Sequence, residues 1–325
     1  MTLRAGLIGY GYWGERLLDA FRASAGIEIT CLADHDPKRL AAYRGGLLAI
    51  ADHRILLDDS DLDTVVIATP PSTHYALARD ALRAGKHCWV EKPLAMTVPE
   101  ASELVSLAET HGRILFVDET FLYDPLVCTA RRWIREGRLG ELRHLSFERL
   151  GMGRVRRDSD VWWNSAPHDL SILRHLVPAR VESIRVERFA YLQPGIADMC
   201  IGSVRLERGI SAHIYLSWLS PVRSASVVAV GSKAMLRYEG RFGQRQLTLH
   251  DYEVAEPRLV TSNVVPVTRF EPIEQIPGGA EQPLALAVAA FVRAVSRGVP
   301  APSEGIHSLR VVELLAAADA RHDRG

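Results

Sequence analysis

Leu3-Arg4-Ala5-Gly6-Leu7-Ile8-Gly9-Tyr10-Gly11-Tyr12-Trp13-Gly14 is a short apolar run that breaks into three glycines spaced G-x-G-x-x-G. Leu17, Leu18 and Phe21 follow at helical spacing. The order is strand, glycine turn, helix. Ile27-Glu28-Ile29-Thr30-Cys31-Leu32-Ala33 then reads as a second strand, closed by Asp34. That acid falls about 20 residues past Gly14, the spacing expected of a carboxylate that holds a dinucleotide's adenosine ribose. A lone glycine motif is weak evidence, but one that follows a strand, opens a helix and is answered by an acid is specific. Glycines let the backbone approach a pyrophosphate, and the helix start offers free N–H groups and a positive dipole end. The competing reading is a tight turn with no ligand. A carboxylate at Asp34 accepts from both ribose hydroxyls and repels a 2′-phosphate, so NAD is expected over NADP. A protonated His35 would soften that repulsion.

The strand–helix rhythm continues outward from this motif. Val65-Val66-Ile67-Ala68 reads as a buried strand ending at Thr69-Pro70-Pro71, and a helix is expected over 73–84. His87-Cys88-Trp89-Val90 is a strand running into Glu91-Lys92-Pro93. A helix over 98–111 and a strand over 114–117 follow. This alternation predicts a doubly wound parallel sheet, whose ligands sit beyond the carboxyl ends of the strands. Gly9, Asp34, Thr69 and Glu91 all fall at such ends, which places Lys92 at the cofactor crevice.

Lys92 is also one of only four lysines, with Lys38, Lys86 and Lys233, among 39 basic residues. Arginine keeps its proton in proteins, whereas burial can tune a lysine ammonium to carry one. A GC-rich genome is the bland explanation of the bias. The formal net charge is zero, which gives no basis for a nucleic-acid partner. No apolar run reaches the roughly 18 residues of a membrane span. The start of the chain lacks the pattern of a signal peptide. Cys31, Cys88, Cys128 and Cys200 lie far apart with no paired spacing. They are expected to be reduced in a cytoplasmic protein, and no metal site is expected.

Beyond residue 120 the pattern changes. A helix is expected over 125–136, then alternating runs over 142–149, 181–189, 199–207, 210–218, 225–230, 234–238 and 246–250. These predict a mostly antiparallel open sheet with helices on one face. Helices over 284–297 and 303–322 close the chain, and the proline-rich stretch 253–279 reads as a long loop or arm. The expected architecture is therefore α/β followed by α+β. A Rossmann domain occupies 1–120, and a substrate-binding and oligomerisation domain occupies 121–325.

In the second half, Trp162-Trp163-Asn164-Ser165-Ala166-Pro167-His168-Asp169-Leu170-Ser171-Ile172-Leu173 stands out. Asn164 and His168 share a helix face at i, i+4. Proline is tolerated in the first turn, so the helix is expected to begin around 164–166. Asn164 is then either a substrate ligand or a plain N-cap, and His168 is either an acid/base or a structural histidine. Arg149, Arg154, Arg156 and Arg157 precede the segment. They could grip a substrate diphosphate bidentately or line a solvated loop.

Four pieces in order now resemble the Gfo/Idh/MocA family of NAD(P)-dependent oxidoreductases. They are the glycine motif, Ala68-Thr69-Pro70-Pro71-Ser72-Thr73-His74, the run from Ala84-Gly85-Lys86-His87 through Glu91-Lys92-Pro93-Leu94-Ala95, and the segment from Asn164 to Leu173. Thr120-Phe121-Leu122-Tyr123-Asp124-Pro125 looks like the branch associated with sugar and nucleotide-sugar metabolism. The resemblance implies that Lys92 and His168 frame the reacting carbon. It implies cofactor contacts from Gly9, Gly11, Tyr12, Trp13, Gly14, Asp34, His35, Thr69, Pro70, His74, Glu91 and Lys92. Substrate contacts are implied from Lys92, Tyr123, Trp163, Asn164, His168 and Arg157. It also implies a homodimer or homotetramer acting on a small molecule. Two departures stand out: Asn164 replaces a usual aspartate, and Glu119 replaces a frequent histidine.

The reaction this implies is hydride transfer between NAD and a secondary alcohol or ketone of a sugar, cyclitol or nucleotide-sugar-like substrate. His168 is nearer the working pH as acid/base, with Lys92 as orienter, and the reverse assignment stays open. Other readings are an imine reductase, transient oxidation driving elimination, and a redox-silent NAD-binding regulatory protein.

Overall fold

The computed structural model describes residues 2–152, 155–157, 159–241, 244–253, 267–268 and 271–319. The chain begins with β1 (Leu3–Ile8), α1 (Tyr12–Arg22), β2 (Ile27–Ala33), α2 (Pro37–Ala42), β3 (Leu48–Ile50), α3 (Arg54–Asp58), β4 (Thr64–Ile67), α4 (Pro71–Arg83), β5 (His87–Val90), α5 (Val98–Thr110) and β6 (Leu115–Val117). It continues with α6 (Pro125–Arg135), β7 (Leu142–Leu150), α7 (Val161–Leu176), β8 (Val181–Phe189), β9 (Met199–Leu206), β10 (Ser211–Ser217), β11 (Ser224–Gly231), β12 (Ala234–Arg241) and β13 (Gln244–Glu253). It closes with β14 (Val267–Thr268), β15 (Glu274–Pro277), α8 (Pro283–Arg297) and α9 (Gly305–Asp319).

Two compact units result, one of residues 1–123 with 281–316 and one of 124–280 with 317–325. In the first, six parallel strands run in the order β3-β2-β1-β4-β5-β6. The order reverses between β1 and β4, the switch point where open α/β sheets bind ligands. The central strands are mostly apolar, and all four residues of β4 are buried, because helices cover both faces of such a sheet. Trp89 anchors the core, stacked on Phe116 at 4.6 Å and edge-on to Phe21 at 5.2 Å. Lys86 is buried too, its Nζ donating to the carbonyls of Asp59 at 2.6 Å and Leu62 at 2.9 Å. Thr97 and Glu100 cap α5 reciprocally.

The expected second domain of 121–325 differs from this division. Residues 281–316 belong to the first unit because α8 turns Ala287, Val288 and Phe291 into the Trp89 core. Phe291 lies 5.7 Å from Trp89 and 5.4 Å from Phe116.

The second unit is built on a nine-stranded sheet, β14-β13-β12-β11-β7-β10-β9-β8, with β15 also on β13. Only β7 and β10 pair in parallel. Strand β9 buries Cys200, Gly202, Val204 and Leu206 and exposes Ile201, Ser203 and Arg205, the alternation of a sheet covered on one face. The stretch 253–279 is not wholly a loop: β14 and β15 pair with β13. Their partner strand supplies the order that the local, proline-rich composition does not signal. Residues 254–266 and 269–270 of that stretch lie outside the described residues.

Candidate active site

The phosphate loop shows which glycines the fold itself needs. Gly9 has φ +97°, and a Cβ there would fall 2.6 Å from the Ala68 carbonyl oxygen. At Gly14 a Cβ would lie 2.0 Å from the Gly9 carbonyl oxygen. Both are demanded by the packing of β1, α1 and β4. Gly11 differs: a Cβ there would meet only the Arg39 guanidinium, at 3.5 Å. Gly11 is also the N-cap of α1 and brings no side chain to the helix's first N–H groups. Those donors and the cleared space before them fit a dinucleotide pyrophosphate. Tyr12 is half exposed, with Arg16 over its ring at 4.5 Å.

Trp13 points back into the unit. Its indole N–H donates to Glu91 and, at 3.2 Å, to Asp118. Glu91 is 8% exposed and Asp118 1%, and Thr120 donates to the other Asp118 oxygen at 2.6 Å. Burial, followed by the Asp118 charge, holds the Glu91 carboxyl well above its ordinary range, and Lys92 acts against the shift. Sequence reading missed Asp118, because it belongs to no motif; adjacency of β5 and β6 is what brings it beside Glu91. Lys92 is half-buried.

His74 is fully buried, with Nδ1 at 2.7 Å from the Pro93 carbonyl and Nε2 at 2.9 Å from the Thr69 carbonyl. The ring thus lies between the ends of β4 and β5, where its N–H donates to one of these two carbonyls. Thr69 and Pro70 lie at the β4 end, where Thr73 donates to the Thr69 hydroxyl and the Pro70 carbonyl, each at 2.7 Å. Tyr123 stacks on Phe116 at 5.7 Å, and its hydroxyl pairs with Ser303 at 2.6 Å. Glu119 is buried and accepts from Ser308 at 3.5 Å.

In the second unit α7 begins at Val161 rather than around 164–166. Asp160 is its N-cap, accepting from the Trp163 N–H at 2.9 Å. Pro167 therefore sits inside the helix, and the Trp163 carbonyl loses its intrahelical donor. Asn164 is not the cap; it lies in the first turn, one turn before the half-buried His168. The Trp163 indole donates to Asp319 at 3.0 Å, and Arg188 joins Asp319 to Asp160. Trp163 is thus held by its indole N–H in a network with Asp319 and Arg188. Arg149 grips Asp169, at 2.8 Å through Nη2 and 3.3 Å through Nε, with that carboxylate 1% exposed. This removes it as a diphosphate clamp. The Arg156 carbonyl accepts from Gln193, Arg157 is exposed, and Arg154 lies outside the described residues.

Two histidines and Glu91 set opposite pH limits. Burial first, then Arg113, lowers His87 to about 4, while burial and Arg131 lower His175 to about 4. The unfolded chain protonates near ~6.5. Stability therefore falls as pH drops from about 6.5 to 4, by up to about 3 kcal/mol per histidine. Glu91 acts the other way. Its raised folded value means stability falls as pH rises above about 4.5 toward that value. Urea unfolding across this range checks both: Glu91→Gln keeps the acid-side fall and loses the other. Identical curves for variant and wild type would refute the Glu91 assignment.

A parallel sheet with an open phosphate loop at its switch point defines a dinucleotide-binding protein. Residues 3–119 match the oxidoreductase family with NAD-binding Rossmann fold, and 127–237 match the GFO/IDH/MocA C-terminal domain. The chain belongs to the Gfo/Idh/MocA family. It is 33% identical over 206 residues to the uncharacterized oxidoreductase YdgJ of Escherichia coli, covering 60% of this chain and 58% of that protein. It is 30% identical over 230 residues to the inositol 2-dehydrogenase of Acidothermus cellulolyticus, covering 66% of each. A crystal structure of a putative oxidoreductase from Magnetospirillum magnetotacticum superposes with a TM-score of 0.81 at 26% identity, covering 98% of this chain and 99% of that one. Among the described residues no helix is long and apolar enough to cross a membrane.

Proposed function

We propose that this protein is an NAD(P)-dependent oxidoreductase acting on a secondary alcohol or ketone of a polyhydroxylated substrate, of the sugar, cyclitol or nucleotide-sugar kind. The observation that carries the reading is Gly11, a glycine the protein's own packing does not demand, set before the uncapped start of α1. The inositol 2-dehydrogenase relative supports the polyol class. When bound, the nicotinamide supplies the hydride chemistry.

The chain's own residues supply orientation and proton handling. Gly11 and the first N–H groups of α1 hold the diphosphate. Lys92, with the resting charge of an ammonium, donates a hydrogen bond to the reacting oxygen and orients it. His168 takes the hydroxyl proton in oxidation, or returns it in reduction, because imidazole titrates near the working pH. Asn164 offers an amide to a substrate hydroxyl. Glu91, the first residue of the Glu-Lys-Pro turn, is buried with Asp118, and the Lys92 charge acts against the upward shift of its carboxyl.

A screen of ketones, polyols and nucleotide sugars, following NADH absorbance, tests the reading. Turnover is expected with at least one polyol or its ketone. Tight cofactor binding without turnover on any of them would favour a redox-silent role instead. The reading extends to a cytoplasmic homodimer or homotetramer built on the open face of the second sheet, where Ile201 is 44% exposed. A monomer in light scattering would remove that extension.

A further inference from the structure

Asp34 stands where a ribose-binding acid is expected, yet its side chain is only 1% exposed. Oδ2 accepts from the Tyr10 N–H at 2.8 Å and lies 3.3 Å from Arg39 Nη1. Oδ1 accepts from the Asp36 N–H at 2.9 Å and lies 3.5 Å from His35 Nδ1. A carboxylate offers about four lone-pair sites, and the Tyr10, Asp36 and Arg39 hydrogen bonds use three of them. Asp34 is thus a staple between the loops that follow β1 and β2, with little left to offer two ribose hydroxyls.

Arg39 and His35 flank it, Arg39 47% exposed and His35 88%. Arg39 also touches Asp36, Nε to Oδ2 at 3.6 Å, which leaves most of its fork of donors toward solvent. Nη1 is the atom nearest to where a Gly11 side chain would begin, so the guanidinium borders the phosphate loop itself. A guanidinium at that place suits a phosphate monoester, which it can bind through two parallel N–H bonds.

We infer that Arg39, flanking a withdrawn Asp34, receives the 2′-phosphate of NADP, so that the protein binds NADP at least as tightly as NAD. The inference rests on the dinucleotide reading above and adds to it a residue that sets cofactor choice. It reverses the preference that the bare spacing of Asp34 suggests. That spacing places a negative charge at the ribose; the fold buries it, bonds it and screens it.

Calorimetric titration of the full-length protein with NAD and NADP tests this, with 5′-ADP and 2′,5′-ADP as fragments that lack the nicotinamide. NADP should bind at least as tightly as NAD, and 2′,5′-ADP at least as tightly as 5′-ADP. Arg39→Ala should weaken NADP and 2′,5′-ADP by about tenfold or more, the size of one lost charge-assisted contact, while NAD changes by less than about threefold. Tighter binding of NAD by the wild type overturns the inference, as do equal losses for both nucleotides in the variant. Failure of both dinucleotides to bind would instead strike the dinucleotide reading on which it rests.

Discussion

Lys92→Met lowers turnover by about 10²- to 10³-fold, the range for losing one positioned hydrogen-bond donor at the reacting oxygen, while NAD(P) affinity stays within about threefold of wild type. Methionine keeps most of the stem's packing volume and removes the charge and donors. On the proposed reading the diphosphate sits on the Gly11 backbone and the start of α1, which the substitution leaves in place. The loss should therefore fall on kcat, with the Kd for cofactor from calorimetry nearly unchanged. The variant has a second signature. Lys92 opposes the upward shift of the Glu91 carboxyl, so its removal lets Glu91 hold its proton to higher pH. The alkaline-side loss of stability should then extend further in Lys92→Met than in wild type. Near-normal turnover would remove Lys92 from the mechanism, whatever the stability curves show.

Phe291→Ala destabilises the first unit by about 3–5 kcal/mol, the usual cost of emptying a large buried aromatic site. The ring is fully buried and meets Phe21 at 6.3 Å as well as Trp89 and Phe116. Each such edge-on pair adds about 0.5–1.5 kcal/mol beyond area burial. Those neighbours come from α1, β5 and β6, three elements of the dinucleotide-binding sheet and its cover. The effect should appear in urea unfolding as an earlier transition and as weakened cofactor binding near the midpoint. A loss below about 1 kcal/mol would mean that α8 packs as a surface helix.

The sequence makes five of the first unit's six strands legible, because each of those is a short apolar run punctuated by glycine, proline or an acid; β3, three residues long, gives too short a run to read. It makes α8 legible as a helix, since apolar residues recur at the helical period. It cannot say which core that face enters, because period carries no address. The same limit explains the site. Glycine spacing reveals the phosphate loop, but whether Asp34 keeps free oxygens depends on Arg39, His35 and two backbone N–H groups arranged by tertiary structure. Tyr123, Trp163, His74 and Arg149 have the chemistry of ligand-binding residues. Ser303, Asp319, two backbone carbonyls and Asp169 lie against them, and only the folded chain displays those partners. The start of α7 follows from local chemistry read too strictly. A first-turn position for the proline predicts a later start, but Asp160 caps the helix at Val161 and leaves Pro167 buried inside it.

The return of α8 to the first unit has a consequence for synthesis. The chain leaves that unit at Tyr123 and re-enters it at Glu281. At about 5–20 residues per second, a ribosome needs roughly ten to thirty seconds to make what lies between. Throughout that interval Trp89, Phe116 and Phe21 exist without Phe291. The half of the protein begun first thus stays unfinished while most of the other half is made, and the nascent dinucleotide fold carries an open aromatic socket until α8 emerges.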